Sequence, residues 1–156
     1  MQPPADDAIS EDLRTKVSST AFYRALGISV VRARRGEVEL ACVPTEAHLN
    51  LQGFVHGGVI ATLADTAMGL AVRSAVDAGR RHVTIEIGAR YLRPVRPGPL
   101  AAIGRTVRVG SSVAFATAEV RGQDERLLAT ATGTYSVTSG ANAPVGEETD
   151  QTGEAE

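Results

Sequence analysis

Residues 48–69 read HLNLQGFVHGGVIATLADTAMG. After the His-Gly-Gly, Val59, Ile60, Ala61, Leu63, Ala64, Ala67 and Met68 have the composition of a helix made for burial, yet Asp65 stands in their midst. Placed at about 100° per residue, Ile60, Leu63, Ala64, Ala67, Leu70 and Ala71 fall within one broad apolar arc. Gly58, Thr62, Asp65, Thr66, Gly69 and Arg73 gather on the other side. The spacing predicts a helix from near His56 to about Ala78, with a sheet wrapped over its apolar arc. The polar, small-residue seam is then left for a ligand or a partner subunit, because a solvent-facing helix normally carries more charge there.

The remainder of the chain supplies that sheet. Residues 27–33 (GISVVRA) and 37–44 (EVELACVP) are strand patterns joined by a short Arg-Arg-Gly link, which predicts a hairpin. Residues 82–92, 100–109, 113–121 and 127–137 are four further strand patterns, separated by the turn sequences PVRPGP, GSS and GQDE. Links this short demand antiparallel neighbours, since a parallel pair needs a crossover of about a dozen residues. Residues 10–26 carry apolar positions near helical spacing, with Ser10 as an N-cap and Gly27 as the stop. The fold class is therefore α+β: an antiparallel sheet, one long central helix and an N-terminal helix.

At 156 residues the chain is one domain's worth. Residues 1–9 read as a flexible acidic N-terminus, residues 10–137 as the folded domain, and residues 138–156, polar and acidic, as a disordered tail. No secretory signal pattern and no membrane span is present in the sequence, and a lone Cys42 in a strand pattern reads as a small buried hydrophobe. A cytoplasmic location is the expectation. The formal net charge of −2 conceals an asymmetry, because nine of the 18 acids lie in residues 1–12 and 138–156 and all 16 Lys and Arg lie between these two stretches. The folded part is basic and almost all of its cations are Arg, the side chain suited to bidentate phosphate or carboxylate contacts.

Two features of the opening segment point to acyl chemistry. Gly57 and Gly58 begin the helix, so their N–H groups lie at the positive end of its dipole with no intrahelical acceptor. Glycine lets a carbonyl oxygen approach such donors, which is what an oxyanion hole requires. Asp65, in a partly apolar seam, has the setting of a general base or nucleophile. Eight residues apart on one helix, the two groups are separated by about 12 Å along the axis. That is too far to serve one reacting carbon, so if both act, donor and carboxylate come from two subunits.

The segment at 48–69, with YLRPVRPG at 91–98 and ATATGTY at 129–135, resembles the hotdog-fold acyl-CoA thioesterases of the phenylacetate-degradation (PaaI-like) type over about residues 20–137. The resemblance implies a sheet wrapped around a central helix, a homodimer with a continuous sheet, and a homotetramer of two such dimers. It implies an acyl-CoA or aryl-acyl-CoA substrate hydrolysed to free coenzyme A and a carboxylic acid, with no other cofactor. Residue by residue it makes Asp65 the catalytic carboxylate and Gly57 the donor to the thioester carbonyl. Asn50 and His56 line or brace the site, and Thr84 stands where a hydroxyl helps hold the attacking water. Coenzyme A phosphates give the Arg excess a role, with Arg90, Arg93, Arg96, Arg108 and Ser111 as candidate contacts.

Other classes lack their motifs. There is no G-x-S-x-G, no P-loop and no G-x-G-x-x-G, and three His with one Cys offer no metal-ligand spacing. Nucleic-acid binding would rest on VRARR at 31–35 with almost no aromatics. The rivals that remain are a hotdog hydratase or dehydratase and a non-catalytic acyl-CoA-binding module.

Overall fold

The central helix, α3, spans Gly57–Ala75. His56 caps it: its backbone is extended and its Nδ1 accepts the Gly58 N–H at 2.9 Å. The helix stops about three residues short of the predicted end, because buried Val76 is extended and Gly79, at φ 86°, turns the chain into the next strand. In this computed structural model, which describes residues 5–139, α3 touches every strand of one sheet. Ile60, Leu63, Ala64, Ala67 and Ala71 of the predicted arc are buried, whereas Leu70 is only partly so.

That sheet has six strands: β1 Ile28–Arg34, β2 Glu37–Cys42, β3 Arg80–Tyr91, β4 Leu100–Val109, β5 Val113–Gly122 and β6 Leu127–Ser139. Their spatial order is β1-β2-β4-β5-β6-β3, antiparallel throughout. All six predicted strands are present within one or two residues at their ends. The order itself follows from α3, which leaves β2, crosses the sheet and delivers β3 to the far edge beside β6. A bulge at Ile85 breaks the β3–β6 register, so that Thr84 on one side of it and Ile87, Ala89 and Tyr91 on the other share the helix-facing side.

The N-terminal segment departs from its reading. In place of one helix over 10–26 there are two, α1 Ala5–Ser19 and α2 Ala21–Ala25, broken at Thr20, whose backbone is extended. Helix α1 begins within the stretch read as a flexible terminus, and Ser10 is not its cap. The Ser10 hydroxyl donates to the Ala33 carbonyl at 2.8 Å and accepts the Ala33 N–H at 2.9 Å, pinning α1 to β1. Leu13 and Val17 bury against the core. Cys42 is buried, as expected of a small hydrophobe, with Sγ donating to the Leu26 carbonyl. Residues 138 and 139 complete β6, and the rest of the expected tail, residues 140–156, lies outside the described residues.

One acid is buried on the β1–β2–β4 side. Glu37 accepts from Arg105 Nε at 2.6 Å and pairs with Arg34 at 3.0 Å. Burial pushes its carboxyl up, but the hydrogen bonds and charges of Arg34 and Arg105 outweigh this and hold it below the ordinary glutamate value. A depressed folded-state value means the contribution to stability is present above the unfolded value and is lost as pH falls through the folded one. Glu37→Gln is expected to cost about 1–2 kcal/mol at neutral pH. Thermal unfolding across an acid series should show the gap to the parent protein closing below about pH 4; a gap independent of pH would refute the ionic role.

Candidate functional site

Asp65 leans from α3 toward the β6–β3 edge. Its Oδ1 accepts two hydroxyls, Tyr135 from β6 at 3.0 Å and Thr84 from β3 at 3.1 Å. Both contacts fall on one oxygen, and Oδ2 has no donor among the described residues. Tyr135 is fully buried, and its phenol is held far above the ordinary value, by burial first and then by the charge and hydrogen bond of Asp65. It is a permanent donor at any working pH. Gly133 makes this reach possible, because a Cβ there would press against the Tyr135 ring and hydroxyl at 2.8 and 2.9 Å.

The carboxylate opens into a cavity of about 550 Å³ between α3, β3 and the N-terminal helices. His82 stands in its wall with its ring edge-on to Tyr135, 6.0 Å between centroids. Burial lowers its proton affinity and the charge of Arg73 lowers it further, against the opposing pull of Asp65. The imidazole is therefore neutral near pH 7. Tyr23 also lines the cavity, its phenol raised by burial and then by the Asp65 charge.

Gly57 lies in a different cavity, of about 350 Å³, with Asn50, Phe54, Tyr91 and Arg93. The Tyr91 hydroxyl donates to the Gly57 carbonyl at 3.0 Å, so the helix start is tied to the end of β3. No acceptor among the described residues takes the Gly57 N–H. Asn50 builds the approach to the helix: its Oδ1 accepts from Gln52 and Phe54 N–H at 2.9 and 3.1 Å, closing the turn before α3. His56 braces the same end as the cap already described. Asn50, His56 and Gly57 are thus brought together, as are Asp65 and Thr84, and the two groups occupy separate cavities in one chain.

The candidate phosphate contacts divide as well. Arg93 and Arg96 line a cavity of about 540 Å³ beside the Gly57 end, where Arg96 stacks over the Phe54 ring at 5.8 Å and Arg93 donates to the Leu127 carbonyl. Arg126, not singled out from the sequence, joins them there. Arg108 and Ser111 sit at the opposite end of the sheet, where Arg80 donates to the Ser111 carbonyl. Arg90 is exposed on the face of β3 away from the helix.

Residues 52–129 match the Thioesterase superfamily. A protein of Halobacterium salinarum is 42% identical over 121 residues, covering 74% of this chain and 79% of its own. The medium/long-chain acyl-CoA thioesterase YigI of Salmonella typhimurium is 33% identical, over 74% of this chain and 84% of that protein. The chain belongs to the Thioesterase superfamily. The fold agrees: the solved PaaI protein of Escherichia coli, 24% identical, superposes with a TM-score of 0.80 over 88% of this chain and 98% of its own. The protein is a hotdog-fold thioester hydrolase.

In this thioesterase, sequence reasoning missed Tyr135, Tyr91 and His82 as neighbours of the candidate groups. The signal for Tyr135 was present in GTY at 133–135, a residue without a side chain two positions before a phenol on the same strand face. Tyr135→Phe is expected to lower kcat about tenfold with little change in KM, and to cost about 1 kcal/mol of stability through the lost hydrogen bond. Steady-state kinetics beside thermal unfolding separates the two, and an unchanged kcat would leave the phenol a packing role alone.

Proposed function

We propose that this thioesterase hydrolyses acyl-CoA thioesters with Asp65 as its carboxylate and the Gly57 N–H as its oxyanion donor, the two supplied by different subunits. The observation that carries the reading is the carboxylate itself: it lines a cavity, and one oxygen is held by Tyr135 and Thr84 while the other has no donor among the described residues. Asp65 takes a proton from water as the water oxygen bonds to the thioester carbon. The C–S bond then breaks and the thiolate leaves as coenzyme A thiol, taking up that proton. Gly57 N–H and the helix dipole meet the charge that develops on the carbonyl oxygen. The acyl-CoA substrate is supported by the relationship to YigI.

The geometry of β3 supports a shared site. It is a twelve-residue edge strand bonded only to β6, without proline, and it exposes Val83 and Ile85 at 66% and 63%. An edge of this kind invites a second strand. Tyr91 marks where the Gly57 half meets β3, and Thr84 marks where the Asp65 half does. With Ile85 bulged out of register, Gly88 lies midway, three pairing positions from each. A two-fold axis at Gly88 sets Tyr91 across from the partner's Thr84, about 5 Å away between paired strands. The donor of one chain and the carboxylate of the other then converge. The same axis carries the partner's Arg108 and the partner's Ser111 toward Arg93 and Arg96, so that two pieces of a coenzyme A phosphate site, apart in one chain, meet in the dimer. Back-to-back pairing of two dimers gives the tetramer.

Asp65→Asn is expected to reduce turnover about 100- to 10,000-fold in a thiol-release assay with the fold retained. The shared site is tested by mixing. Gly57→Val and Asp65→Asn subunits, each inactive alone, are expected to recover about a quarter of parent activity after random re-association, since half the dimers then hold one intact site of two. No recovery, with mixed dimers demonstrated by mass, would place both groups in one chain's site and overturn the arrangement.

A further inference from the structure

The cavity beside Asp65 does not end at the carboxylate. It runs along α3 past Thr66, Gly69 and Leu70 to Arg73 in the last turn of the helix. Gly69 lines this passage without a side chain of its own, and a Cβ there would stand at ordinary contact distance from His82 Nε2, 3.5 Å, and Tyr135 Cε1, 3.8 Å. Leu13, Val17, Phe22, Leu70 and Ile87 make the flanks apolar.

Arg73 is half-buried at the far end, and among the described residues it has neither an ion pair nor a hydrogen bond for its five donors. The other cation of the cavity, Lys16, is already engaged by Asp12 at 2.7 Å. Asp65 is the one carboxylate among the described lining residues, and its contacts run to Tyr135 and Thr84. A guanidinium drawn partly out of water with every donor unspent is an unfavourable arrangement unless an anion completes it. Its planar fork is matched by a carboxylate.

We propose that Arg73 is the specificity residue of this site and that the preferred acyl group ends in a second carboxylate, making the substrate an ω-carboxyacyl-CoA. The inference rests on the reading of Asp65 as the hydrolytic carboxylate. Eight residues separate the two side chains, about 12 Å along the helix. With a contact distance of about 3 Å subtracted at each end, that span fits an acyl chain of about six carbons, its methylenes against the apolar flanks and its terminal carboxylate in bidentate contact with Arg73. Hydrolysis then yields coenzyme A and a free dicarboxylate.

The test compares adipyl-CoA with hexanoyl-CoA, equal in length and different only in the terminal carboxylate. The readout is the ratio of their kcat/KM values, which loss of folded enzyme does not move. The full-length parent protein is expected to prefer adipyl-CoA. Arg73→Gln is expected to lower the adipyl-to-hexanoyl ratio about 10- to 100-fold, mainly through KM, the loss of one charge-assisted contact. Arg73→Lys should restore part of it, returning the charge without the fork. A parent enzyme that hydrolyses hexanoyl-CoA at least as well as adipyl-CoA, or a ratio that Arg73→Gln leaves unmoved, overturns the assignment of Arg73 alone. Hydrolysis of neither substrate would instead bring down the acyl-CoA thioesterase reading beneath it.

Discussion

A single oxygen, Oδ1 of Asp65, joins three elements of this fold, accepting from β6 through Tyr135 and from β3 through Thr84 while sitting on α3. Hydrogen bonds to a charged acceptor are the strong ones, and the Tyr135 phenol has no water to fall back on. The edge of the sheet is thereby keyed to the helix at one rotation and one height. Charge in the middle of a central helix is tolerable here only because the sheet brings donors to it. The same contacts engage one carboxylate oxygen and leave the other without a donor among the described residues.

The register of β3 follows from that keying. Thr84 must face the helix to reach Asp65, and Tyr91 must face it to reach Gly57, yet the two are seven residues apart, an odd number on a strand of period two. A regular strand would turn one of them outward. The bulge at Ile85 absorbs the extra residue and lets both face inward. It also leaves Ile85 exposed and without a register partner on the edge strand, where backbone groups are still to be satisfied.

The architecture was legible because two periodicities write it plainly, a period near 3.6 over residues 57–75 and a period of two in six strands with short links. The strand order was not, since it depends on where α3 sets the chain down after crossing the sheet. Without that order nothing in the sequence brings Tyr135 to Asp65, a separation of 70 residues. The division of the site into halves was legible from helical rise alone, because Gly57 and Asp65 lie on one rigid rod. The Arg contacts were not, as a strand pattern does not say which end of the sheet a turn occupies, and Arg93 and Arg108 fall at opposite ends. The break at Thr20 escaped for a different reason: the apolar positions of 10–26 keep helical spacing across it, while the hydroxyls of Ser18, Ser19 and Thr20 donate to carbonyls of the last turn, at Thr15 and Lys16, and α1 ends there.

The helix that carries the carboxylate is also the core, and this ties the site to packing in a way a loop-borne residue would escape. Ala64, Ala67 and Ala71 let α3 settle close onto the sheet, and at the closest point β4 has Gly104, where any Cβ would collide with the Ala67 carbonyl and the Met68 N–H. Packed interiors transmit such changes instead of absorbing them. A methyl at Gly104 therefore has to lift the helix just beyond Asp65, and a displacement of about 1 Å is enough to cost two orders of magnitude where reacting groups must be aligned. Small residues under the helix are part of the site, although none of them touches its cavity, and the tolerance of this core to enlargement is set by chemistry as much as by stability.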